Sequence, residues 1–193
     1  WTQAMRLSTF GKPRVISCAE DHPLYIGLPR GCLDELLRLL SELNIESVVR
    51  DERNPGRPLA VSFHGQLRHT QQLAADALAA HDTGVLAATT AFGKTVVAAW
   101  LIARRGVSTL ILVHRLQLME QWMERLSTFL GLSIRDIGRI GGGRSRPNGT
   151  LDVALIQSLV RKGVVNDRVG EYGQLVVDEC HHLPAISFEQ VAR

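Results

Sequence analysis

The apolar residues of this chain change rhythm near residue 66. Before that point they come in short runs around turn-forming residues: Arg14–Cys18 and Leu24–Leu28 about Glu20–Pro23, then Ser47–Arg50 and Leu59–Phe63 about Asn54–Pro58. Such runs predict short strands. Between them, leucines at 33, 36, 37, 39, 40 and 43 recur at helical spacing. They predict an amphipathic helix that starts after Gly31 and stops at Asn44. Residues 1–65 therefore read as a small α+β unit, near the lower size limit for independent stability. Two roles stay open for it, an accessory domain that grips substrate and an extension that only completes the larger core.

From residue 66 onward strands and helices alternate. A helix over His69–His81 carries mostly small residues on its less polar side, which suits close packing on a sheet. The patterns then give strand 85–89, helix 94–104, strand Thr109–Val113, helix Leu116–Phe129, and strands Ser133–Ile137 and Leu151–Ile156. A mixed stretch, Ser158–Tyr172, precedes strand 174–177, and a last helix starts at Phe188. Alternation of this kind predicts an α/β fold, a parallel sheet with helices on both faces, over residues 66–193.

Composition refines this picture only slightly. At 193 residues, 45% hydrophobic and 21% charged, the chain can bury one core with a smaller satellite. The net charge is +3, with the basic surplus after residue 65, which is compatible with a polyanionic partner without requiring one. Cys18, Cys32 and Cys180 are odd in number and widely spaced, which argues against a disulfide framework and for a reducing compartment, with the cytoplasm as default. No apolar run reaches membrane-spanning length, and no signal-peptide pattern opens the chain. The chain starts at Trp1 and ends at Arg193 within a helical pattern, so it reads as a piece of a longer protein.

Two stretches carry chemistry. In Ala88-Thr-Thr-Ala-Phe-Gly-Lys-Thr95 an apolar strand meets a polar turn, and Gly93-Lys94-Thr95 opens an apolar helix. Phosphate chains are held by such loops: backbone N–H groups of Thr90, Ala91, Phe92 and Gly93 around the turn, Lys94 on the β and γ phosphates, and the Thr95 hydroxyl on Mg²⁺. Ala88 stands where the full loop motif has its first glycine. Downstream, strand 174–177 ends in Asp178-Glu179. A carboxylate at such a strand end can join the Mg²⁺ shell (Asp178), and its neighbour can take the proton of an attacking water (Glu179). Together the stretches predict a nucleoside triphosphatase with Lys94, Asp178 and Glu179 as its catalytic groups. The following Cys180-His181-His182 does not suit zinc, since adjacent residues fill three corners of a tetrahedron poorly. One histidine is instead a candidate relay of nucleotide state.

This pairing resembles the first RecA-like lobe of superfamily-two helicases and translocases of the DEAD/DEAH-box type, with Asp178-Glu179-Cys180-His181 as the DExH box. Leu67-Arg68-x-x-Gln71 is similar to the family's adenine-reading glutamine element, which implies that Gln71, with Arg68 nearby, selects ATP. Val113-His114-Arg115-x-x-Leu118-x-x-Gln121-Trp122 is similar to the first nucleic-acid-contact motif, and Ile156-Gln157-Ser158-Leu159 to the short motif after the next strand. The resemblance implies ATP and Mg²⁺ as cofactors, sequence-independent backbone contacts from His114, Arg115, Gln157 and Ser158, and coupling through His181. Trp122 falls on the helix face of Leu118, Leu126 and Phe129 and reads as core. The glycine-rich, basic Gly138–Arg146 turn reads equally as a nucleic-acid contact and as a hairpin connection.

Within the superfamily the chain resembles the repair and transcription helicases that melt duplexes, the motor subunits of type I and type III restriction enzymes, and the helicase modules that accompany primase-polymerases in prokaryotic conflict systems. The implied partners are DNA, a C-terminal RecA-like lobe that supplies arginine fingers, and a fused or associated nuclease or primase. The coupling motif and second lobe are missing from this sequence, so the resemblance implies weak binding and slow hydrolysis by the piece alone. An RNA helicase, and a nucleic-acid-binding or nucleotide-switch module without motor action, remain the alternatives.

Overall fold

A computed structural model describes residues 19–143, 145–161 and 164–180. The chain divides into two compact units, Trp1–Asp51 and Glu52–Arg193. In the first, β1 (Glu20–Asp21) pairs antiparallel with β2 (Ile26–Gly27), and α1 (Leu33–Glu42) follows. Asn44 takes a left-handed φ of 56° just past the helix, which stops it where the leucine pattern ends. No residue of α1 is buried. The run Arg14–Cys18 lies outside the described residues.

The second unit is built on a four-stranded parallel sheet. Its described elements are α2 (His69–Ala79), α3 (Lys94–Arg105), β3 (Thr109–Val113), α4 (Leu116–Leu130), β4 (Gly138–Ile140), β5 (Leu151–Leu155) and the single turn α5 (Ile156–Leu159). A short hairpin of β6 (Val160–Arg161) and β7 (Val164–Val165) leads to β8 (Gln174–Val177). The sheet order is β4-β5-β3-β8. Register pairs Leu112 with both Ala154 and Val177, so β3, β5 and β8 end together. His114, Ile156 and Asp178 leave the sheet at one carboxyl edge, where open α/β sheets place their ligands.

Period-two alternation divides the core. Ile111, Val113 and Val153 face one layer with Ala99 and Ile102 of α3 and Met119, Trp122 and Leu126 of α4. Leu110, Leu112 and Ala154 face the other with Ile140, Ile156, Leu159 and Tyr172. All five residues of β3 are buried because both faces of this strand are covered. Among the described residues one acidic side chain is fully buried. The fully buried Asp152 carboxylate accepts from the backbone N–H groups of Asn148 and Gly149, each at 2.8 Å, and from the Tyr172 hydroxyl. Burial, and then the bond to Asp152, push the Tyr172 hydroxyl well above the usual phenol range, so it stays a donor. Gly138 is obligatory beside this carboxylate, since a Cβ there would fall 1.4 Å from Asp152 Oδ1.

Several elements differ from their sequence patterns. Residues 52–65 join the second unit rather than the first. They form no ladder, apart from a single bridge between Pro58 and Val107. Their backbone instead bonds outward, Leu59 N–H to the Gly106 carbonyl at 2.8 Å and His64 N–H to the Phe129 carbonyl at 2.6 Å. Leu59, Val61 and Phe63 pack on the core of the sheet and helices, which is where their apolar alternation is used. Ser47–Arg50 forms no strand, and the expected strand at 133–137 is a tight turn, Ile134–Asp136, capped by the Ser133 hydroxyl, with the strand displaced to β4. Residues 85–89 form no strand either, and among the described residues no ladder includes them. Val85 is 75% exposed.

Candidate nucleotide site

The loop before α3 is bent by two left-handed residues, Ala91 at φ 63° and Gly93 at φ 90°. The Phe92 N–H closes a turn on the Thr89 carbonyl at 3.3 Å. Gly93 then caps α3, with the Val96 and Val97 N–H groups on its carbonyl. The first-turn N–H groups of Lys94 and Thr95 have no intrahelical acceptor and point to the anion-favouring end of the helix. The Lys94 ammonium donates to the Ala88 carbonyl at 3.2 Å, which folds the side chain back over the loop.

Arg68 and Gln71 hold this loop from behind. The Gln71 Oε1 accepts from the Arg68 N–H at 2.8 Å, and its Nε2 donates to the Phe92 carbonyl at 2.6 Å. The Arg68 guanidinium donates to the same carbonyl. Gln71 is buried, with both ends of its amide engaged. A Cβ on Gly93 would lie 2.5 Å from Gln71 Nε2, so the glycine is needed for close approach as well as for its φ. Both residues expected to read a base thus bond the Phe92 carbonyl of the loop before α3.

At the end of β8 the two acids enter a turn in which Glu179 has φ 55°. The Glu179 N–H donates to Asp178 Oδ1 at 3.0 Å, and the Trp122 indole N–H donates to Asp178 Oδ2 at 2.7 Å. Lys94, Thr95, Trp122, Arg125, Asp178 and Glu179 line one cavity of about 450 Å³, whose remaining wall is the loop from Thr89 to Gly93 and the outer side of α4. A lysine, a helix-start hydroxyl and two carboxylates around one cavity fit a triphosphate and its Mg²⁺, whose hard oxygen ligands come partly from phosphates and water. Among the described residues no group of three or more His, Cys, Asp or Glu is placed to hold a metal by itself.

A second cavity, of about 320 Å³, opens beside the first between His114, Arg115, Gln117 and Glu179. Leu118, Gln121 and Glu179 line both, so α4 is the wall between them. The Gln157 amide donates to the His114 carbonyl at 3.0 Å, tying the ends of β5 and β3. A Cβ on Gly141 would meet Ser158 Oγ at 2.2 Å, so the glycine-rich turn lies against the segment after β5. His114, Arg115, Gln157 and Ser158 are therefore gathered on the carboxyl edge, while His181 lies outside the described residues. The bond from Trp122 to Asp178 was not read from the sequence. A buried indole requires an acceptor, and that requirement is the signal that would have found it.

The sequence family described as “Type III restriction enzyme, res subunit” matches residues 64–193. The chain belongs to this family. It is 37% identical over 142 residues to the “Putative DNA 3'-5' helicase Rad25” of Halobacterium salinarum, covering 71% of this chain and 23% of that relative. To the “DNA 3'-5' helicase XPB” of Mycobacterium tuberculosis it is 33% identical over 144 residues, 70% of this chain and 26% of the relative. The chain thus spans about a quarter of the length of these curated relatives. The UvsW helicase of bacteriophage T4 superposes with a TM-score of 0.65 at 16% identity, covering 88% of this chain and 68% of that one, a likeness of fold alone. In this res-subunit family member the parallel-sheet unit has the form of the first RecA-like lobe of the superfamily-two type. No described helix is long and apolar enough to cross a membrane.

Proposed function

We propose that the second unit binds Mg·ATP at the larger cavity and that, within a longer protein, its hydrolysis drives motion along DNA. The observation that carries this reading is the single cavity shared by Lys94, Thr95, Asp178 and Glu179. Lys94 exchanges its carbonyl contact for the phosphate chain, and the loop N–H groups hold the oxygens around it. Thr95 and Asp178 hold the ion's shell, and Mg²⁺, when bound, neutralises charge on the phosphates. Glu179 orients a water and takes its proton. Arg68 and Gln71 keep the loop in its phosphate-ready shape.

On the neighbouring edge, His114 and Arg115 with Gln157 and Ser158 meet the phosphodiester backbone, which looks alike at every step and so gives no sequence preference. Glu179 lines both cavities, which supports hydrolysis taking place beside the polymer. A second RecA-like lobe closing on this edge completes the motor. The test is ATPase activity of a longer protein that contains this chain, with single-stranded and duplex DNA and RNA as stimulants. DNA-stimulated hydrolysis abolished by Lys94→Ala and by Glu179→Gln is expected. Stimulation by RNA alone would move the substrate class, and hydrolysis indifferent to both variants would end the proposal.

A further inference from the structure

We propose that Trp122 is a positioning residue for the metal-side carboxylate, linking the helix behind the polymer edge to the nucleotide site. The inference rests on the reading of Asp178 as a Mg²⁺-shell residue. Trp122 lies two turns into α4, which begins directly after His114-Arg115. It is only 4% exposed and packs in the core with Met119, Met123 and Leu126. Its ring therefore cannot turn to satisfy its N–H in water, and an acceptor is required. That acceptor is Asp178 Oδ2, at 2.7 Å, a charge-assisted bond.

The consequence is rotational. A carboxylate at an exposed strand end turns freely about its terminal torsion, which is broad and two-fold. Asp178 is held at both oxygens, one by Trp122 and one by the Glu179 backbone. Its plane is set, and the carboxylate held this way lines the cavity together with Thr95. The donor comes from a core residue of α4, the same helix whose Leu118 and Gln121 wall the polymer-side cavity. A shift of α4 therefore reaches Asp178 through one hydrogen bond.

Trp122→Phe keeps the apolar ring and removes the donor. Binding of ATP to this chain is measured by titration calorimetry at increasing Mg²⁺ and in EDTA. The variant is expected to need about tenfold more Mg²⁺ for half of the metal-dependent gain in affinity, the size set by one lost charge-assisted bond. A packing defect would weaken binding equally with and without metal, and that pattern, or an unchanged or lowered Mg²⁺ requirement, would overturn the proposal. Lys94→Ala and Asp178→Asn separate the underlying reading. If both leave Mg·ATP binding intact, the site itself is wrong, whereas if both abolish it and Trp122→Phe matches wild type, only the role of Trp122 fails. Should Trp122→Phe not fold, the indole N–H of the intact chain is read by NMR. Asp178→Asn is expected to move that resonance and speed its hydrogen exchange, and an unchanged signal would refute the bond.

Discussion

Replacing Gly93 by alanine tests how the phosphate loop is held. The backbone there has φ 90°, a left-handed conformation that costs an ordinary L-residue about 1–2 kcal/mol. The new Cβ would also stand 2.5 Å from Gln71 Nε2, so the amide must leave. With it go the bonds to the Phe92 carbonyl and from the Arg68 N–H, each worth about 0.5–1.5 kcal/mol. The sum is about 2–5 kcal/mol against the phosphate-ready loop, and ATP affinity is expected to fall at least about 30-fold. Calorimetric titration gives the affinity, and a double-mutant cycle with Gln71→Ala divides the causes. In the Gln71→Ala background the clash is relieved, and Gly93→Ala is expected to retain only the backbone part, about 1–2 kcal/mol. Fully additive effects, with no coupling between the positions, would refute the hold of Gln71 on the loop.

Three further outcomes follow from the same geometry. Tyr172→Phe removes a donor from the buried Asp152 carboxylate and is expected to lower stability by about 1.5–3 kcal/mol at neutral pH, read by urea unfolding. Because the folded hydroxyl titrates above its unfolded value, its contribution is full below about pH 10 and lost above it, so the gap between variant and wild type narrows in alkali. Gly138→Ala drives a methyl group into the same carboxylate and is expected to destabilise more than Tyr172→Phe in that assay. A chain started at residue 66 loses the packing of Leu59, Val61 and Phe63 that a chain started at residue 52 keeps, about 3–5 kcal/mol or roughly 10 °C in melting temperature. Equal melting of the two would place residues 52–65 outside the core.

The sheet was legible wherever residues are buried on both faces. Leu110–Val113 is a continuous apolar run and Leu151–Leu155 is apolar but for Asp152, and the structure makes strands of both. Helices α2, α3 and α4 were equally plain, since a periodic face and a glycine or histidine boundary mark each. The Lys94 and Asp178-Glu179 stretches declared themselves because the strand that precedes each acid or the helix that follows each loop is local in sequence. What sequence hid was pairing at a distance. Leu59–Phe63 alternates like a strand, yet its partners are the ends of α3 and α4, which no local pattern reveals. Residues 85–89 are apolar enough for a strand but join no ladder among the described residues. Gln71 and the buried indole of Trp122 each call for a partner, but spacing does not say which one, because the acceptors at Phe92 and Asp178 depend on how helices dock.

The account turns on one ligand being held jointly by the start of α3 and the end of β8. A crystal structure of the chain with Mg²⁺ and a non-hydrolysable ATP analogue measures this directly. The predicted result has phosphate oxygens on the Lys94 ammonium and the loop N–H groups, with the metal shared by Thr95 and the Asp178 shell. A triphosphate seated away from Lys94, or a metal that Asp178 does not approach, would contradict it.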